Sequence, residues 1–404
     1  MSINEQSLAY GSSKSRIREI AAYGAARKAE IGVDKVFDFS LGNPSIPAPD
    51  DVRKSIERLV AMPAAKLHSY TPASGLPEVR ASIAQSINKR FAVESTELYG
   101  SDSLAEANDL YMTCGAAASI TITLGALCNP GDEVMVVAPY FPEYRVWIES
   151  SQATCVEVMA DSSSFQLDIA ALRSALNENT KALIINSPNN PTGVVYSRES
   201  LVELAALLTE HSEKTGNTVY LIADEPYREL VYGGAEVPWL PGIYANTIVC
   251  YSYSKSLSLP GERIGWVLVS PRCAEHDQLV AAVAGAGRKL GFVCAPALFQ
   301  RVIADCVDLE PNVEAYEHNR QLLMEGLGKL GYEFVEPQGA FYLWMKALEP
   351  DADAFFEKAR ELELLPVPSD SFGCPGWVRI GYCVDAQTIE GSMDAWAQLM
   401  ESYR

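Results

Sequence analysis

Lys181-Ala-Leu-Ile-Ile-Asn-Ser-Pro-Asn-Asn-Pro-Thr-Gly193 decides the fold. Ala182 to Ile185 run apolar without polar alternation, the pattern of a strand covered on both faces. The segment that follows holds two prolines and a glycine, which fix a loop and hold its asparagine side chains in place. Similar runs stand on either side, at Glu133-Val-Met-Val-Val-Ala138, Val219-Tyr-Leu-Ile-Ala223 and Thr247-Ile-Val-Cys-Tyr-Ser252, separated by longer helical stretches. From about 50 to 300 this alternation predicts an α/β fold, a mostly parallel sheet sandwiched by helices. Polar or glycine-rich clusters recur just past the strand ends: Cys114–Ser119, Pro139–Tyr144, Ser187–Gly193, Asp224–Tyr227 and Ser252–Lys255. Open α/β sheets bind ligands at that edge, so these loops are expected to converge on one site.

The pattern changes towards both ends. Ser15 to Glu30 reads as an amphipathic helix, and Leu41-Gly-Asn-Pro-Ser-Ile-Pro-Ala-Pro49 as an irregular bend. Beyond about 300, a helical region near 312–330 precedes short strands near 332–335, 340–345 and 377–381, then a closing helix from Asp385. The expected organisation is a large domain over 49–300 and a small α+β domain over 301–404, joined by the segment 1–48.

Composition narrows the function classes. The 404 residues carry 48% hydrophobic and 21% charged side chains, ordinary for a globular protein. A net charge of −20, from 52 acidic against 32 basic residues, repels phosphate backbones and anionic headgroups. Nucleic acid and membrane are therefore not expected as partners. The nine cysteines form no C-x-x-C pair and several sit in apolar runs, as in a reducing compartment. Neither a signal peptide nor an apolar span is visible, so a cytoplasmic location is expected, and no metal site is.

The loops carry chemistry. Lys255, at a strand end in an apolar setting, should have a lowered pKa and act as an amine nucleophile, although the motif alone also fits a surface lysine. Arg263 lies between Gly261 and Gly265, where backbone can approach a ligand closely. The small residues of Cys114-Gly-Ala-Ala-Ala-Ser119 open an apolar helix with exposed N–H groups suited to phosphate. Asp224 follows Leu221-Ile-Ala223 and, at that depth, needs a cationic or N–H partner.

Asn-Pro-Thr-Gly at 190–193, Asp-x-x-Tyr at 224–227, Ser-x-Ser-Lys at 252–255 and Arg263 eight residues later stand in one order. In this the chain resembles, over nearly its whole length, the pyridoxal-phosphate (PLP) dependent aminotransferases of class I/II, fold type I, aspartate-aminotransferase-like. The resemblance implies a seven-stranded sheet in the large domain and a ping-pong exchange of an amino group between an L-amino acid and a 2-oxo acid. It implies that Lys255 forms the Schiff base and shuttles a proton between Cα and C4′, and that Asp224 pairs with the pyridinium nitrogen. Asn190 and Tyr227 would bond the ring's phenolic oxygen, and Phe141 would stack on the ring. Gly115, Ala116, Ala117, Ser252, Ser254 and Arg263 would hold the phosphate. Tyr70 would reach the phosphate of a neighbouring subunit, which makes the enzyme a homodimer with shared sites. Arg379 would bind the substrate α-carboxylate, helped by Gly42 and Asn190.

Two departures stand out. The phosphate loop has Cys114, Ala116 and Ala117 where many relatives carry hydroxyls, and Phe141 replaces a tryptophan. Arg288, with Lys289 beside it, is a candidate reader of a distal carboxylate, which makes glutamate and aspartate the expected donors. On the same scaffold the alternatives are a β C–S lyase, an aminocyclopropane-carboxylate synthase-like enzyme and, more remotely, a PLP-binding regulator.

Overall fold

The computed structural model describes residues 3–13, 15–99 and 105–404, with no side chains described for 93–99. Its centre is a seven-stranded sheet in the order Leu110–Thr113, Gly265–Val269, Thr247–Ser252, Tyr220–Asp224, Thr180–Asn186, Glu133–Ala138, Thr154–Met159. All neighbours run parallel except Gly265–Val269, which is antiparallel to both strands beside it. The expected α/β class and mostly parallel sheet are thus observed.

Alternate residues explain why the runs are apolar throughout. Met135, Val137, Leu183, Ile185, Leu221 and Ala223 enter one core, with Val79 and Ile83 of helix Pro77–Tyr99 and Leu204 and Leu208 of helix Arg198–Thr215. Val134, Val136, Ala182, Ile184, Tyr220 and Ile222 enter another, against Ile120 and Leu124 of helix Ala116–Leu127 and Val283 of helix His276–Lys289. Each Val, Leu, Ile or Met among them contributes about 1.5–3 kcal/mol on burial, so a polar residue on either face would be costly. Local signals set the helix ends. The Ser197 hydroxyl accepts from the Ser200 N–H, and Gly216 closes the same helix in the left-handed region at φ 75°.

A second sheet, antiparallel, is ordered Val367–Pro368, Trp377–Gly381, Tyr342–Lys346, Phe334–Val335. Helices Val313–Leu330 and Ala386–Glu401 cover it through Leu323, Leu327, Trp396 and Leu399. Helix Arg16–Ile31 leads to the short strand Phe37–Asp38, which pairs with Leu364–Leu365 in parallel. Among the described residues, no helix is long and apolar enough to cross a membrane.

Candidate active site

The carboxyl ends of Thr180–Asn186, Tyr220–Asp224 and Thr247–Ser252 open on one cavity of about 290 Å³. Ala116, Ala117, Phe141, Asn190, Asp224, Tyr227, Ser252, Ser254 and Lys255, from the five loops, line it together with Gly42, Arg263 and Arg379. Gly115 lies immediately behind, as the N-cap of helix Ala116–Leu127.

Asp224 ends its strand fully inside the protein. Its Oδ2 accepts from the Tyr144 hydroxyl, while Oδ1 is buried with no partner. Burial pushes the carboxyl up to about 7; the Tyr144 bond opposes this and the neighbouring Glu225 charge adds to it. Asn186 holds the backbone around it: its Nδ2 donates to the Asp224 carbonyl at 2.9 Å and its Oδ1 accepts from the Asn190 N–H at 2.7 Å.

Lys255 sits in the short helix Tyr253–Ser256 that follows its strand. Its Nζ donates to the Gly42 carbonyl at 2.5 Å and lies 5.3 Å from the centre of the Phe341 ring. Burial lowers the amine to about 8, with Arg379 and Arg263 adding to the fall and Cys383 opposing it. Gly42 allows this contact because a Cβ there would collide with the Tyr342 hydroxyl. That hydroxyl lies 3.2 Å from the hydroxyl of Tyr227.

Arg379 occupies one of the two inner strands of the second sheet, 2% exposed. Its Nη1 donates to Asn190 Oδ1 at 3.0 Å and its Nη2 to the Ser40 carbonyl at 2.7 Å, with the guanidinium 4.4 Å from the Tyr342 ring centre. Nε is buried without a partner. The resulting cation is rigid, with donor capacity to spare, and suits a carboxylate.

Opposite, Gly115 takes φ 89°, and a Cβ there would come within 2.7 Å of Arg263 Nη2. Only glycine lets the guanidinium lie against the helix entrance. Arg263 is fixed by donating to the Pro260 carbonyl at 2.8 Å, and the Ser252 and Ser254 hydroxyls lie 2.6 Å apart. A guanidinium, two hydroxyls and a helix N-terminus make an anion cradle despite the alanines at 116 and 117.

These features fit pyridoxal phosphate. The buried oxygen of Asp224 lacks the partner that a pyridinium N–H would be, and the cradle suits a phosphate.

Two expected residues lie apart from this cavity. Tyr70 is 96% exposed, and Arg288 is exposed in the last turn of helix His276–Lys289; neither lines it. Conversely, Ile17, Tyr144, Trp147, Asn186 and Tyr342 line the cavity without having been singled out. Tyr144 closed a quoted loop and Asn186 is the lone polar residue ending an apolar run, both usable signals. Ile17 and Tyr342 carry none.

A sequence model of the family described as "Aminotransferase class I and II" matches residues 34–395. The chain is 31% identical over 388 residues to the probable aspartate/prephenate aminotransferase of Thermus aquaticus, covering 93% of this chain and 95% of that one. It is 31% identical over 394 residues to the aspartate aminotransferase of Streptomyces avermitilis, covering 92% and 91%. Among solved structures, an amino transferase from Eubacterium rectale superposes with a TM-score of 0.95 at 49% identity, over 100% of both chains. The Thermus thermophilus aspartate aminotransferase with maleate superposes at 0.83, with 26% identity over 99% of this chain and 100% of that one.

Proposed function

The chain belongs to the class I and II aminotransferases, PLP-dependent enzymes, and from that premise we propose how its own residues move an amino group between an amino acid and a 2-oxo acid. Pyridoxal phosphate, when bound, supplies an aldehyde that condenses with amines and a cationic ring that withdraws electrons from the substrate Cα. Asp224 holds the proton on the ring nitrogen through its free Oδ1; a cation there offsets the burial that otherwise keeps the carboxyl near 7. Asn190 and Tyr227 would hold the phenolic oxygen, and Phe141 would pack on the ring. The N–H groups at Gly115, Ala116 and Ala117, with Ser252, Ser254 and Arg263, would hold the phosphate.

Arg379 binds the α-carboxylate, assisted by Asn190 and the backbone of Gly42. That fixes the amino acid with its Cα towards Lys255. An amine lowered to about 8 is neutral in a useful fraction near neutral pH, so Lys255 Nζ takes the proton from Cα and returns it on the cofactor side. The observation carrying this reading is the single cavity shared by a low-pKa lysine, a buried carboxylate with a free oxygen and a buried arginine with a free Nε.

Glutamate and aspartate are the proposed donors, supported by the names of the relatives. Arg288, outside the cavity of its own chain, would reach a distal carboxylate only from a second subunit. A homodimer in which exposed Tyr70 serves the neighbouring site is proposed with it, as are a cytoplasmic location and the division at 48 and 300. The test is stoichiometric: the holoenzyme with glutamate alone should release one 2-oxoglutarate per site and stop, then resume on addition of a second oxo acid. Continuous ammonia release would instead identify a lyase.

A further inference from the structure

Residues 224–228 face two ways. Asp224, Pro226 and Tyr227 line the active-site cavity, whereas Glu225 and Arg228 line a separate cavity of about 30 Å³. There they form a buried ion pair, with side chains 2% and 8% exposed. Arg228 Nε and Nη2 donate to the two Glu225 carboxylate oxygens at 2.5 Å each, a bidentate fork. Its remaining donors reach the carbonyls of Val237 at 2.9 Å and Pro238 at 3.0 Å. The guanidinium lies 5.2 Å from the ring centres of both Phe91 and Trp239, which stack on each other. The Glu225 N–H donates to the Cys250 carbonyl at 2.9 Å, tying the loop to the strand that leads to Lys255.

A buried ion pair seldom stabilises a fold more than apolar residues of the same size would, because both charges lose their hydration. What this pair adds is direction. It pins two positions three residues apart, one next to Asp224 and the other next to Tyr227, to the neighbouring segment at Val237 and Pro238. We propose that Glu225 and Arg228 are a positioning pair that aims Asp224 and Tyr227 at the cofactor without touching cofactor or substrate. The proposal rests on the roles given to Asp224 and Tyr227 above.

Two variants test it against wild-type holoenzyme. In Glu225→Leu/Arg228→Met the charges leave together, so the apoenzyme's melting temperature should fall by no more than the loss of the Val237 and Pro238 hydrogen bonds, a few degrees. Cofactor affinity, measured by titrating apoenzyme, should fall about tenfold or more, and kcat about 10–100-fold, with KM for the amino acid little changed because Arg379 is untouched. Arg228→Lys keeps the charge but loses the fork; it should fold, yet show lower kcat and a shifted pH profile. Wild-type cofactor affinity and kcat in the double variant, or a wild-type pH profile in Arg228→Lys, would overturn the proposal. If the double variant fails to fold, Arg228→Lys decides alone. A wild-type enzyme unable to transaminate would instead refute the roles assigned to the site.

Discussion

Replacing Asp224 with Asn should stabilise the apoenzyme and cripple the holoenzyme, two effects of opposite sign from one oxygen. Burial raises the carboxyl from 3.8 to about 7. The folded value lies above the unfolded one, so Asp224's contribution to stability is intact below about pH 4 and is lost as the pH rises through about 7. At pH 8.5 the loss is on the order of 4 kcal/mol. Asn is neutral at every pH and still accepts from Tyr144, so it escapes this loss. For a chain of 404 residues the unfolding entropy is about 0.85 kcal/mol/K, and the apo variant should melt about 5 °C above apo wild type at pH 8.5. At pH 5 the advantage should shrink to roughly a third or a half of that. With cofactor the order reverses, because the proposed buried charge pair would be broken at a cost of about 3–5 kcal/mol, equivalent to a loss of cofactor affinity of about 10²–10⁴-fold. Calorimetric melts of both forms at the two pH values, at one scan rate, provide the measurement. An apo variant less stable than wild type at pH 8.5 would show that the carboxylate has a partner or a hydration the reasoning denies it.

Other variants probe the remaining parts of the site. Lys255→Met should abolish turnover and the absorption band of the lysine-bound cofactor; an intact band would mean the lysine is misassigned. Because burial lowers this amine from 10.5 to about 8, the charged form is penalised in the folded state below pH 8. Apo Lys255→Met should therefore melt a few degrees above wild type at pH 6.5, an advantage fading between about pH 8 and 10.5. Arg379→Lys should raise KM for the amino acid about 10²-fold through loss of the planar fork, with cofactor affinity unchanged by equilibrium titration. Gly115→Ala should weaken cofactor binding by about tenfold or more, since its Cβ meets Arg263 and its φ is left-handed.

The parts legible in the sequence were those whose physics is local. A strand buried on both faces must be apolar along its length, so Ala182–Ile185 and Ile248–Tyr251 announced themselves. The loops at their ends concentrate proline, glycine and polar groups, which is why Asn190, Asp224 and Lys255 could be named. Thr154–Met159 escaped notice because it is an edge strand with several partly exposed residues, so polar side chains interrupt the run. Tyr144 meets Asp224 across 80 positions, and Tyr342 meets Tyr227 across 115; no spacing rule reaches so far. Arg288, exposed in the last turn of helix His276–Lys289, could meet a distal carboxylate only across a subunit boundary, a geometry that the sequence of one chain does not display.

Arg379 hydrogen-bonds to Ser40 across 339 positions and to Asn190 across 189. A ribosome therefore delivers the strands that carry Lys255 and Asp224 long before the residue proposed to grip the amino acid's carboxylate. While the last tenth of the chain is still unmade, a nascent polypeptide can present its sheet and still have no means of recognising a substrate.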